Sequence, residues 1–168
     1  MRIIGSDIST MEASDFDESA FFRSIQSSGA RALLIGRRAL VLLGLPVLTA
    51  DYDFWIHSDD IARFNEASAA SGLHPSRTPE EARRRGRYVL ENDEHVDVLV
   101  ARAIPTVEGH VVEFEALWER RRSLPVAADV TVQVPATSDL ILTKRVAPRA
   151  KDLADIRLLE LLRQEEES

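Results

Sequence analysis

The sequence predicts an α/β (α+β) fold, a mixed β-sheet flanked by helices, on three observations. Short apolar runs of strand length alternate along the chain with segments whose apolar residues recur at helical spacing. No internal repeat or low-complexity linker interrupts the alternation, which is how helices layered on a sheet read in one dimension. The length of 168 residues suffices for one good core and is short for two, so a single domain over residues 1–168 is expected.

Taken in order, Arg2 to Ile4 can form a short strand. The acidic stretch Glu12 to Glu18 reads as a helix start with Ser14 or Asp15 as cap, and Phe21, Phe22 and Ile25 follow at helical spacing. Ala32 to Ile35 is a buried strand ending at Gly36, and a short helix over Arg38 to Leu43 is closed by Gly44 and Pro46. Tyr52 to Ile56 is a second strand, and Ser58 caps a helix that turns Ile61 and Phe64 inward.

Residues 71 to 79 are loop-like and lead to a short charged helix. Tyr88 to Leu90 and Val96 to Val100 form a hairpin across the polar Glu91 to Glu94 connection. Phe114 to Arg122 suggests a helix, and Val130 to Val134 alternates as a strand. Thr137 or Ser138 caps a helix to about Val146. The last helix, Lys151 to Arg163, places Leu153, Ile156, Leu159 and Leu162 inside, with Gln164 to Ser168 as a frayed tail.

Composition removes several function classes. The absence of cysteine excludes disulfides, thiolate metal sites and cysteine nucleophiles, so any metal is held by oxygen or imidazole. A net charge of −7 argues against a wide electrostatic footprint on nucleic acid. The basic runs Arg83 to Arg87, Arg120 to Arg122 and Lys144 to Lys151 are local, and the first two read as solvated helix ends or loops. No apolar run reaches the roughly 20 residues a membrane span needs, and the start lacks a signal-peptide pattern, which points to the cytoplasm. His57, His74, His95 and His110 show no metal-ligand spacing, and Ser6, Ser24 and the other serines lack a nucleophile elbow. Trp55 and Trp118 read as core anchors, although Trp55 stands close enough to Asp53 to line a base pocket.

The chemistry concentrates between Gly36 and Phe54. Side chains at i and i+2 of a strand share a face, so Asp51 and Asp53 are expected to project together. Two adjacent carboxylates repel, and a hard cation between them explains the arrangement better than structure does. Asp97 interrupts the apolar run Val96-Asp97-Val98-Leu99-Val100, where an unpaired charge is expensive. If the strand of Asp97 pairs beside that of Asp53, the three carboxylates converge. Three carboxylates can hold two Mg²⁺ ions that bridge a triphosphate, and Asp97 can also take the proton of an attacking hydroxyl.

These segments resemble the nucleotidyltransferase superfamily, whose fold is shared with DNA polymerase beta, many bacterial toxins and antibiotic-modifying enzymes. Gly36, Ala39, Gly44, Thr49, Asp51 and Asp53 follow the Gly-Gly-x-Ala, Gly, Arg-x-Thr-x-Asp-x-Asp pattern of its toxin-like and abortive-infection members. Asp97 stands where their third carboxylate is expected. Lys144 with Arg149-Ala150-Lys151-Asp152-Leu153-Ala154-Asp155 is similar to their closing Lys…Arg-x-Lys-Asp-x-x-Asp signature. Two positions depart from the pattern: Arg37 replaces the second small residue of the turn, and Val47 replaces the usual Arg.

The resemblance implies the nucleotidyltransferase fold, with a nucleoside triphosphate as donor and two Mg²⁺ ions on Asp51, Asp53 and Asp97. It places Gly36, Arg37, Thr49, Lys144 and Lys151 around the nucleotide. The implied acceptor is tRNA, protein or a small molecule, and the implied partners are an antitoxin, in a toxin–antitoxin or phage-defence pair, or a second copy of the chain. A second expectation follows from Arg37 and Val47: a degenerate domain that keeps the fold and binds a nucleotide or a protein partner. Lys151 also has a structural reading, an i, i+4 pair with Asp155 on an exposed helix face. Asp152 and Asp155 read as first-turn helix acids or salt-bridge partners.

Overall fold

Asp17 opens helix α1 (Glu18–Ser28), its carboxylate accepting the Ala20 N–H at 3.0 Å in a computed structural model that describes residues 16–168. The expected strand at Arg2 to Ile4, the Ser14 and Asp15 caps and Ser6 lie outside the described residues. Gly29, at φ +75°, ends α1, a left-handed turn that glycine adopts without a Cβ penalty. Strand β1 (Ala32–Ile35) passes straight into helix α2 (Gly36–Leu42), so α2 starts two residues before the expected Arg38. Strand β2 (Tyr52–Ile56) follows a loop and has the expected bounds.

Beyond β2 lie a single 3₁₀ turn at Ser58–Asp60 and helix α3 (Ile61–Ala69), with Ile61 and Phe64 buried as expected. Ser58 does not cap α3. The 3₁₀ turn displaces it from the cap position, and Asp60, which takes that position, gives its carboxylate to Arg31 instead. The loop-like region contains a two-residue strand β3 (His74–Pro75) and leads to helix α4 (Pro79–Arg85), closed at its start by a Thr78–Glu81 capping box. Strands β4 (Arg87–Glu91) and β5 (His95–Leu99) form the expected hairpin.

These strands make one mixed sheet in the order β1-β2-β5-β4-β3, with β2 and β5 parallel and the other neighbours antiparallel. Its period-two alternation explains the core. Leu34, Tyr52, Phe54, Tyr88, Leu90, Val96 and Val98 point to one face and are buried with Phe21, Phe22 and Phe64. On the opposite face two rows cross the sheet in register: Ile35, Asp53, Asp97, Val89 and, one step along, Leu33, Trp55, Leu99, Arg87.

The remaining chain partly covers this second face. A small hairpin, β6 (Ala103–Pro105) with β7 (Val111–Glu113), and helix α5 (Phe114–Glu119) pack Val112, Phe114 and Leu117 on Leu33 and Trp55. Helix α5 stops at Glu119 rather than Arg122 because residues from Arg122 on form β8 (Arg122–Ala127), paired with β9 (Val130–Val134). Helices α6 (Thr137–Lys144) and α7 (Ala150–Glu167) complete the fold.

Two expectations for α7 are corrected. Leu153 is exposed, and the inward face is Asp152, Asp155, Ile156 and Leu159, because the helix docks through its acids as well as its apolar residues. The tail stays helical to Glu167, where Glu166 accepts hydrogen bonds from Arg122 and Thr137. Among the described residues no helix is long and apolar enough to cross a membrane.

Candidate active site

The first of the two rows on the open face carries the acids. Asp53 and Asp97 are direct partners across the parallel β2–β5 pair, so their carboxylates rise side by side from the same face. Burial, followed by the charges of Asp97 and Asp51, pushes the Asp53 carboxyl up from its ordinary 3.8 to about 6, against the opposing pull of Lys144 and Lys151. Among the described residues no hydrogen-bond donor reaches the Asp53 carboxylate, so nothing but these lysines offsets the repulsion.

Gly36 explains part of the burial. It sits at φ +68°, and a Cβ there would come within 2.5 Å of Asp53 Oδ2. Only glycine lets the β1–α2 turn press its backbone on the carboxylate. The turn is therefore built around Asp53 whatever its second residue.

Asp51 lies outside the strand on which it was expected. Strand β2 begins at Tyr52, and the Asp51 N–H donates to Thr49 Oγ1 at 3.1 Å, a local turn that leaves the Asp51 side chain exposed. Thr49 thus shapes the loop beneath Asp51. The third acid, Asp97, leans to His95, with Nε2 to Oδ1 at 3.3 Å, while His95 Nδ1 lies 3.7 Å from Glu91. Among the described residues no three acid or imidazole side chains converge closely enough to enclose an ion.

Arg37 turns away from the acids. Its guanidinium forms a bidentate pair with Asp155, at 2.9 and 3.0 Å, and donates to the Leu48 carbonyl at 3.1 Å. Asp155, fully buried, also receives Lys144 Nζ at 3.1 Å, and Asp152 stands 3.4 Å from the same ammonium. Burial pushes the Asp155 carboxyl up, but the hydrogen bonds from Arg37 and Lys144 outweigh it and hold the group below the usual carboxylate range. Asp152 is held low too: its backbone bond from Arg149 and its contact with Lys144 overcome burial. Both acids are therefore salt-bridge partners, and Asp152 caps the start of α7. The expected Lys151–Asp155 pair does not form, because Asp155 faces inward while Lys151 is exposed.

A cleft of about 390 Å³ lies over the acids. Gly36, Asp53 and Asp97 line it, with Lys144 and Arg149 from the α6–α7 side and Arg87 from β4. Leu99, Ile104, Val146 and Ala147 give it an apolar wall. Arg37, Thr49, Asp51 and Lys151 are not among its walls. Trp55 is fully buried, its indole N–H donated to the Ala101 carbonyl at 2.8 Å, which makes it a core anchor and not the wall of a base pocket.

His95, Arg87 and the inward role of Asp155 were not singled out from the sequence. The signal for His95 was its position two residues before Asp97 on the same strand, which puts both on one face. Arg87 needed the hairpin register, and Asp155 needed the docking of a helix 118 residues away from Arg37.

No family model matches the sequence, and no curated protein matches it. Solved structures do match. The antibiotic-resistance factor ANT(2'')-Ia in solution aligns with TM-score 0.55 at 16% identity, over 84% of this chain and 82% of that one. The same factor in complex with adenylyl-2''-tobramycin aligns with TM-score 0.58 at 15% identity, over 83% of each chain. A protein from Thermotoga maritima assigned as a nucleotidyltransferase aligns with TM-score 0.55 at 12% identity, over 88% of each chain. The fold is that of the nucleotidyltransferases. At these identities the likeness establishes the nucleotidyltransferase fold, its mixed sheet and its flanking helices, and the chemistry has to be argued from the residues of the cleft.

Proposed function

We propose that this chain moves a nucleoside monophosphate from a nucleoside triphosphate to an acceptor hydroxyl or phosphate. The observation that supports it most is the in-register pair Asp53 and Asp97 with the Gly36 backbone pressed against Asp53. A half-buried carboxyl raised by its burial and by the acid beside it is hard to understand without a charged ligand.

Asp53 and Asp97, with Asp51 in the adjoining loop, supply hard oxygen donors, and both the burial and the neighbouring acids that lift Asp53 are offset by a divalent cation, so these donors are of the kind that Mg²⁺ takes, without enclosing it on their own. When bound, such an ion would supply positive charge against the donor phosphates and the leaving pyrophosphate. Lys144, fixed by Asp152 and Asp155, and Lys151, exposed at the start of α7, add positive charge for the phosphates. As the acceptor oxygen bonds to the α-phosphorus and the bond to pyrophosphate breaks, the acceptor's proton passes to Asp97. The acceptor is tRNA, a protein side chain or a small molecule.

Isothermal titration of ATP, GTP, CTP and UTP, with and without Mg²⁺, tests the reading on wild type and the Asp51→Asn, Asp53→Asn double variant. Metal-dependent binding of at least one nucleotide, lost in the double variant, is expected. Binding that ignores both metal and substitution, or no binding at all, refutes it. One observation favours a second reading, a domain that binds a nucleotide without turnover: the turn's Arg37 is taken up by Asp155 and the Leu48 carbonyl. Metal-dependent binding with no pyrophosphate released over a broad acceptor panel would select that alternative.

A further inference from the structure

We infer that Arg87 marks the acceptor side of the cleft and reads a phosphate group carried by the acceptor; the inference rests on the nucleotidyl transfer proposed above. The argument starts from the order of groups across the sheet. Gly36 follows β1 and lies against Asp53 on β2; Asp97 comes next on β5, and Arg87 stands on β4 one register step along the same face. In transfer to phosphorus the leaving and attacking oxygens lie roughly in line on opposite sides. With the triphosphate tail at Gly36 and Lys144, the α-phosphorus sits over Asp53 and Asp97. The acceptor then enters over β5 and β4, on the apolar surface made by Leu99.

Beyond Asp97 the charge lining that side comes from Arg87. Lys144 and Arg149, the other cations lining the cleft, are matched by Asp152 and Asp155. Arg87 forms no ion pair among the described residues, although its side chain lines the cleft. Arg77 donates to the Arg87 carbonyl at 2.8 Å and brings a second positive charge to the same end of β4. The run Arg83 to Arg87, which reads from sequence as a solvated helix end, thus has one member that turns into the site. A guanidinium without a carboxylate, beside an apolar floor, suits a planar two-point contact with phosphate. It disfavours a polycationic acceptor such as tobramycin, whose adenylylated form is in the complex of the structural neighbour. The phosphate can belong to a small sugar phosphate or to the end of a nucleic acid.

The test loads the protein with Mg²⁺ and the α,β-methylene analogue of whichever nucleotide binds, which cannot transfer. Ribose 5-phosphate, a short single-stranded RNA with a free 3′ hydroxyl, and tobramycin are then titrated into wild type, Arg87→Gln and Arg87→Glu. Nucleotide affinity within about twofold across the three proteins, with unchanged melting temperature, establishes that Arg87 serves neither the donor nor the fold. Binding of ribose 5-phosphate or of the RNA that weakens about tenfold in Arg87→Gln, and further in Arg87→Glu, supports the inference and names the source of the phosphate. Equal affinity of these probes in wild type and Arg87→Glu, binding of neither, or tighter binding of tobramycin overturns it. Failure of the nucleotide itself to bind removes the transfer reading instead, and this inference with it.

Discussion

Substituting Asp53 by Asn should make the metal-free protein more stable at neutral pH, although it removes a residue assigned to the site. The magnitude follows from the carboxyl's displacement from 3.8 to about 6. A shift of about two pH units is worth ~3 kcal/mol. The sign is set by which state holds the proton more tightly. Because the folded value is the higher one, the Asp53 contribution is complete below about pH 4 and is lost as pH rises through the folded value near 6. Asp152, Asp155 and Asp60 carry folded values below normal, so their stabilisation is complete above about pH 4 and lost only at more acid pH. The difference between wild type and Asp53→Asn from pH 4 to 7 therefore reports Asp53. Urea denaturation in EDTA at pH 4 and pH 7.5 would measure it. The expected result is near equality of the two proteins at pH 4 and a gain of ~3 kcal/mol for Asp53→Asn at pH 7.5. For a chain of this size that is roughly a 6–12 °C rise in melting temperature. A variant no more stable than wild type at pH 7.5 would sink the claim that burial and the neighbouring acids hold Asp53 in an unfavourable charged state.

The buried charges around α7 should behave in the opposite way. Replacing Asp155 by Ala removes the carboxylate of Arg37 and leaves the nearly buried Lys144 only Asp152, and a loss of ~3 kcal/mol in chemical denaturation at pH 7 is expected; a loss below about 1 kcal/mol would mean that Asp152, the Leu48 carbonyl and solvent already satisfy both cations. Gly36→Ala forces a Cβ onto Asp53 at a left-handed φ, so it should cost roughly 1–3 kcal/mol and abolish metal-dependent nucleotide binding. Unchanged binding in a Gly36→Ala protein would show that the turn does not approach the ligand.

Much of the sheet was legible because its signals are local. Ala32 to Ile35 and Tyr52 to Ile56 are bounded by Gly36, Asp51 and His57, and their strands have the expected bounds. The pairing that matters, Asp53 beside Asp97, followed from asking why an acid interrupts an apolar run. What escaped was non-local. The sequence Arg120-Arg121-Arg122-Ser123-Leu124-Pro125 has no strand alternation of its own, and β8 exists because β9 offers it a partner. Leu153 fits a helical stripe, yet α7 buries Asp152 and Asp155 because Lys144, Arg149 and Arg37 wait for them on other segments. Arg37 itself looked like a phosphate ligand because of its place in the turn; the partner that claims it lies 118 residues later.

That separation also has a consequence for biosynthesis. During translation Arg37, Lys144 and the Gly36 turn all leave the ribosome before Asp155, so the nascent chain carries two cations whose shared counter-ion does not yet exist. The cleft can take its final form only after α7 has been made, because Asp152 lines it and holds Lys144. A chain without α7 would thus leave Arg37 and Lys144 without the carboxylates that match them.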